Sequence, residues 1–321
     1  FWFLLNPGLR IDAVQVSDET GRPVAASAAR LLLASAVTLE EPVAAGQTLR
    51  IRFTYGGEPA LEPLGGDSAS FRTDRILLGP ETFWYPYDAR SFFAVDATLR
   101  LPSDLDVVHN GAAASRVVRG ATQEVSWRSE RPVAGLALVA GRFVRSERRI
   151  GDTTWRVHQR ADGALDAGAM IDALAAAHDV FAAQFGASGF SRFTVFVDPE
   201  VRRAFNDGSG TMAAPPRYFR DGDAGFHLLA HELAHVWWGG TVSERWLAPG
   251  TGGQWLVEGL ATVSAAIATE ARYGAAGLQR VRRDNFFDPD RQGSIEAMSF
   301  LDNALAIDTA RDTIYRKGGY V

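Results

Sequence analysis

Apolar positions alternate with polar ones over short runs through the first half of the chain. Leu49, Ile51, Phe53 and Tyr55 share one side of the run from Thr48 to Tyr55, and Gly56-Gly57 ends it. A second alternating run covers Ala94 to Leu101 and stops at Pro102. Val125 to Trp127, Ala134 to Ala140 and Trp155 to His158 continue the series. Side chains that repeat every second residue line one face of a strand. The Gly, Pro, Asp and Asn between the runs supply turns. The pattern predicts an antiparallel β-rich domain over residues 1–160.

Near Gly163 the period changes. Ala164 to Phe185 is alanine-rich, with Met170, Leu174, Val180 and Phe181 at helical spacing, and Gly186 stands as a stop. Phe193 to Val197 reads as a short strand closed by Asp198-Pro199. Two further helices are predicted, Asp223 to Trp238 and Gln254 to Tyr273, each followed by glycine. Gly250 to Gly253 reads as a loop and Leu301 to Val321 as the start of another helical region. The expected fold class is α+β, with a mainly helical domain over residues 161–321 following the β domain. The opening Phe1-Trp2-Phe3-Leu4-Leu5 reads as a strand cut from a longer chain.

Composition narrows the chemistry. The 321 residues contain no cysteine and carry a formal net charge of −5. Thiolate ligands, thiol nucleophiles and disulfides are excluded, so a metal would have to be held by His, Asp and Glu. The charge gives no footprint for nucleic acid. Lys317 is the only lysine among 33 basic residues, so single arginines carry little information. No run of about 18 apolar residues is present to span a bilayer. Oligomeric state is open, and so is the compartment, where a bacterial extracytoplasmic setting is the expectation.

The informative motif is His231-Glu232-Leu233-Ala234-His235, an HExxH pattern within a predicted helix. Residues four apart share a helix face, so the two imidazoles can converge on one ion. Glu232 beside it can take a proton from a metal-bound water. A third ligand is required, and Glu258 on the next helix is the candidate. His227 extends the row, but eight residues span about 12 Å of helix, beyond one ion's reach. His227 is therefore read as supporting or structural, and His109, His158 and His178 as incidental.

HELAHVWWGG followed by WLVEGLA resembles the zinc site of the alanyl aminopeptidase family of gluzincin metallopeptidases, which includes the leukotriene-hydrolase branch. The resemblance implies one Zn2+ held by His231, His235 and Glu258, with Glu232 as general base. It also implies peptide substrates. Tyr315-Arg316-Lys317-Gly318 resembles the family's Tyr-x-Lys-Gly motif, which gives Tyr315 the role of hydrogen-bonding the developing oxyanion. Trp84-Tyr85-Pro86-Tyr87-Asp88 is similar to an aromatic-Pro region of the family's amino-terminal saddle domain. The second half is similar to its thermolysin-like domain, with a small mixed sheet. The family's further helical domain has no counterpart here.

Two departures qualify the resemblance. The family's Gly-x-Met-Glu-Asn strand, whose Glu binds the substrate amine, finds its nearest match at Gly210-Thr211-Met212-Ala213-Ala214, with Ala213 at the acidic position. Gly210, Met212 and Ala213 are the expected substrate-binding segment, acting through main-chain pairing. Glu81 is either a substitute amine anchor or a solvated loop acid. The link between His235 and Glu258 spans positions 236 to 257, 22 residues, longer than in the family. The extra residues fit the Leu247 to Gly253 loop. Thr262 stands four residues past Glu258, where a carboxylate could have supported a zinc histidine, so that partner stays unnamed. The reading is a zinc metallopeptidase, an aminopeptidase first. A non-catalytic scaffold, a zinc endopeptidase and an epoxide-type hydrolase are the alternatives.

Overall fold

The structure is a computed structural model that describes residues 1–61, 69–88, 91–163, 165–242 and 253–285. The chain begins with β1 (Trp2–Leu4), β2 (Leu9–Asp18), β3 (Pro23–Val24), β4 (Ala26–Leu31), β5 (Ala34–Leu39) and β6 (Leu49–Gly57). It continues through β7 (Ser70–Arg72), β8 (Arg75–Leu78), β9 (Asp96–Pro102), β10 (Asp106–Val108), β11 (Ala112–Arg119) and β12 (Thr122–Arg128). Then come β13 (Leu138–Gly141), β14 (Phe143–Ile150), β15 (Thr153–Arg160), α1 (Ala167–Phe185), β16 (Arg192–Val197), β17 (Phe205–Asn206) and β18 (Thr211–Ala214). Two helices close the described chain, α2 (Gly222–Ala234) and α3 (Gln254–Asn285).

The first thirteen strands form small antiparallel sheets, ordered β1-β5-β4, β3-β2-β6, β10-β13-β8-β7 and β11-β12-β9. A five-stranded mixed sheet follows in the order β14-β15-β16-β18-β17. Its inner pairs β15–β16 and β16–β18 are parallel, and the flanking pairs are antiparallel. The sheet runs across residue 160: β14 and β15 lie before that position and pair into the strands after it.

Alternation along β15 and β16 explains what this sheet divides. Trp155, Val157, Phe193 and Val195 point to the helices and meet Met170, Leu174, Phe181, Leu229 and Leu233 in the largest core. Phe196 points the other way, into a second cluster with Leu77, Val108, Val139 and Ala213. Strands buried on both faces lose the polar half of the alternation. That accounts for the run Phe193 to Val197, in which every residue is buried.

Helix ends follow local chemistry. Asp166 caps α1 by accepting from the amides of Gly168 and Ala169, and Gly186 closes it at φ 88°. α2 stops at Ala234, one turn before the expected Trp238. The chain must turn sharply at Gly239 (φ 113°) and Gly240, where a β-carbon would stand only 2.8 Å from the Val236 carbonyl oxygen. The expected end near Gly274 survives as a break, φ 69°, inside a helical stretch that resumes to Asn285.

Candidate metal centre

α2 and α3 pack through small side chains. Ala230, Ala234, Ala261, Ala265 and Ala268 are all buried in the helix-side core, which lets the two backbones approach closely. His231 sits in the last turn of α2, and His235 is its C-cap residue. Glu258 projects from near the start of α3. The tryptophans after the motif fix this corner: Trp237 donates to the Gly186 carbonyl at 2.9 Å and Trp238 to Ser264 Oγ at 2.9 Å.

The three predicted ligands meet. His231 Nε2 lies 3.2 Å from Glu258 Oε2 and 3.2 Å from His235 Nε2, and His235 Nε2 lies 3.4 Å from Glu258 Oε2. Ligand atoms at about 2.0–2.1 Å from a tetrahedral zinc stand about 3.3 Å apart. The observed triangle has that size. It is the group of metal-compatible side chains found among the described residues.

The hydrogen bonds behind the rings show which nitrogen faces inward. Thr262 Oγ1 donates to the Glu258 carbonyl at 2.8 Å. The same oxygen lies 3.2 Å from His231 Nδ1, and with its proton on the carbonyl it accepts from that nitrogen. The Trp238 carbonyl likewise accepts from His235 Nδ1 at 3.0 Å. Both rings direct Nε2 at the carboxylate, and the Trp238 carbonyl requires hydrogen on His235 Nδ1. Such a cluster of acceptors needs a positive charge at its centre. Without metal, that charge is a proton on His235, whose pKa stands at about 9: burial opposes the charge, but Glu258 outweighs it. Glu258 is in turn held well below the usual carboxylate range, the attraction of His235 and His231 outweighing its burial. The donor set fits a divalent ion taking the proton's place.

Glu232 is half-buried beside this cluster. Burial raises its carboxyl pKa while His235 and His231 pull it back. Its main-chain carbonyl accepts from Asn206 Nδ2 at 2.9 Å, which ties β17 to α2. His227 faces a different threonine: its Nδ1 meets Thr269 Oγ1 at 3.2 Å, and burial lowers its pKa to about 4.

The expected substrate segment requires a correction. Gly210 turns the chain at φ 84°, and β18 is an inner strand, paired with β16 on one side and with β17 on the other. Met212 packs into the helix-side core and Ala213 into the opposite one. The main-chain edge expected at Gly210, Met212 and Ala213 is taken by β17, and β17 is itself the edge strand next to α2. Two residues without alternation gave no signal in the sequence. Glu81 is not a solvated loop acid: burial raises its pKa, and its neighbours are Tyr85 and Tyr87. Tyr315 lies outside the described residues, as do most of the 247–253 loop and residues 301–321.

No family model matches the sequence, and no curated protein matches it. Solved structures do. The M1 zinc metallopeptidase from Deinococcus radiodurans aligns over 99% of this chain and 72% of its own, with TM-score 0.71 and 20% identity. A mutant of it bound to a Tyr-Ser-Ala substrate gives the same coverage, TM-score and 20% identity. A two-domain M1 zinc metallopeptidase mutant bound to L-arginine gives TM-score 0.71 at 21% identity, again over 99% and 72%. The chain has the M1 zinc metallopeptidase fold. At such identities the M1 likeness carries the fold alone, and the chemistry rests on the donors described above. Among the described residues, no helix is long and apolar enough to cross a membrane.

Proposed function

We propose that this protein is a zinc-dependent peptide hydrolase in which His231, His235 and Glu258 hold one Zn2+ and Glu232 moves the proton. The single observation that carries the reading is the triangle of 3.2, 3.2 and 3.4 Å among the three donor atoms. When bound, zinc supplies Lewis acidity, which acidifies water and polarises a carbonyl. Glu232, its basicity raised by burial, accepts the proton of the attacking water and delivers it to the leaving amine. Thr262 and the Trp238 carbonyl hold the two imidazoles in one tautomer. Tyr315 donates a hydrogen bond to the developing oxyanion.

The substrate is an extended peptide that adds to the outer edge of β17, beside Glu232. Edge addition uses main-chain groups and needs no particular side chain. We read the chain as a saddle-like β domain followed by a thermolysin-like catalytic domain whose mixed sheet starts at β14, so that the division falls before Phe143 rather than at residue 160. Aminopeptidase action is the subclass proposed, supported by the Tyr-Ser-Ala substrate, L-arginine and L-tryptophan bound to the structural neighbours.

The test is Glu232→Gln, assayed by cleavage of a mixed peptide library in zinc-loaded protein. Turnover is expected to fall by about 10²–10⁴-fold with zinc content unchanged; full activity in the variant would overturn the mechanism. Acetylating the peptide N-termini separates the subclasses, because loss of turnover identifies an aminopeptidase and its persistence an endopeptidase.

A further inference from the structure

His231 has an unusual partner. Zinc-bound histidines commonly present their second nitrogen to a carboxylate or a main-chain carbonyl, which fixes the ring. His235 follows that pattern through Trp238. His231 instead meets a hydroxyl whose only proton is given to the main chain of the third ligand, Glu258. One buried side chain thus reaches a ligand on α2 and the turn that carries a ligand on α3. Thr262 is 8% exposed, so water does not compete freely for either bond.

We propose that Thr262 is a positioning residue, which locks His231 in the tautomer that turns Nε2 toward Glu258 and His235 and sets its angle to the α3 ligand. The inference rests on the metal-site reading above and names a contributor to it outside the ligand set. Its logic is geometric. A hydroxyl already donating to a carbonyl presents only lone pairs to the ring. Nδ1 must then hold the hydrogen, which leaves Nε2 as the acceptor. Removing the hydroxyl takes away this bias toward hydrogen on Nδ1 and favours the tautomer with hydrogen on Nε2 aimed at the site, where it blocks a metal.

The molecule contains its own control. Thr269 makes the same pair of bonds, to His227 Nδ1 at 3.2 Å and to the Ala265 carbonyl at 2.7 Å. Loss of either hydroxyl removes a buried link between α2 and α3, but only Thr262 bears on a ligand.

The experiment measures zinc affinity of the metal-free protein by competition with a chromophoric chelator, zinc being the sole probe, for wild type, Thr262→Val, Thr262→Ser and Thr269→Val. Thr262→Val is expected to weaken zinc binding by about 10–100-fold, while Thr262→Ser and Thr269→Val stay within about threefold of wild type. Thermal melts of both valine variants are recorded alongside. A merely structural role would lower the two melts alike and leave both affinities unchanged, and that result overturns the proposal. Nitrogen-15 spectra of the metal-free wild type give a second readout, which decides even if Thr262→Val does not fold. Hydrogen on Nδ1 of His231 supports the proposal, and hydrogen on Nε2 overturns it. If wild type binds no zinc, the metal-site reading fails, while the tautomer still decides the role of Thr262.

Discussion

His227 and His231 stand one turn apart on α2 and meet matching partners on α3. Each Nδ1 lies 3.2 Å from a threonine hydroxyl, and each threonine bonds the carbonyl four residues earlier, at 2.7 and 2.8 Å. The units differ in that earlier residue, Glu258 in one and Ala265 in the other, and His227 also bonds the Ala265 main chain. With Glu258, an acceptor cluster forms that calls for a cation. With Ala265, the imidazole is a buried neutral group, its pKa lowered to about 4. The histidine–threonine link is therefore a packing device of this helix pair, and the carboxylate makes a candidate metal site of one copy. A row of histidines does not by itself define ligands.

The largest effect is expected from forcing the second unit to resemble the first. Ala265→Glu puts a carboxylate in a fully buried position with one neutral imidazole nearby, and should destabilise the fold by about 3–5 kcal/mol, as an uncompensated buried charge does. Urea melts measure this, and a cost below about 1 kcal/mol would show that the second unit tolerates charge after all. Next in size is the contrast between the histidines. Zinc binding of about 10–16 kcal/mol shared over three ligands gives about 3–5 kcal/mol each, so His231→Ala should weaken zinc by about 10²–10⁴-fold. His227→Ala should change it by less than about threefold. Equal losses would dissolve the distinction.

The smallest effect concerns buried histidines away from the site. His109 and His158 are both lowered to about 4, by burial first and then by nearby arginines such as Arg156 and Arg145. Their folded-state values lie below the ordinary 6.5, so they favour the folded state above that pH, and this contribution is lost as pH falls from about 6.5 to 4. Asp207, raised to about 6 by burial, acts the other way, losing stability as pH rises from about 4 to 6. Two groups outweigh one, so melting temperature should fall on acidification. His158→Gln should recover up to about 3 kcal/mol of that loss. A variant whose acid profile matches wild type would remove His158 from the account.

The meeting of the three proposed ligands was legible in the sequence because their geometry is mostly local. His231 and His235 need only one helical turn, and Glu258 needs only the close approach that the alanines permit. Thr262 was not legible. Its position past Glu258 was visible, but its partner depends on how α3 rotates against α2. The end of α1 followed from Gly186, whereas its start at Ala167 is set by the Asp166 cap, inside the run read from Ala164. β14, Phe-Val-Arg-Ser-Glu-Arg-Arg-Ile, carries too few apolar residues to announce a strand, and its place in the mixed sheet is set by long-range pairing. The substrate edge was assigned to β18 because the family's motif sits there in sequence, whereas the hairpin turn at Asp207 to Gly210 puts β17 outermost.

The most direct test of the central claim is zinc titration of the metal-free protein, followed by diffraction at the zinc edge. One equivalent is expected to bind, with anomalous density between His231 Nε2, His235 Nε2 and Glu258 Oε2 at about 2.0–2.2 Å from each. Uptake of less than about half an equivalent after reconstitution, or density away from Glu258, would contradict the claim.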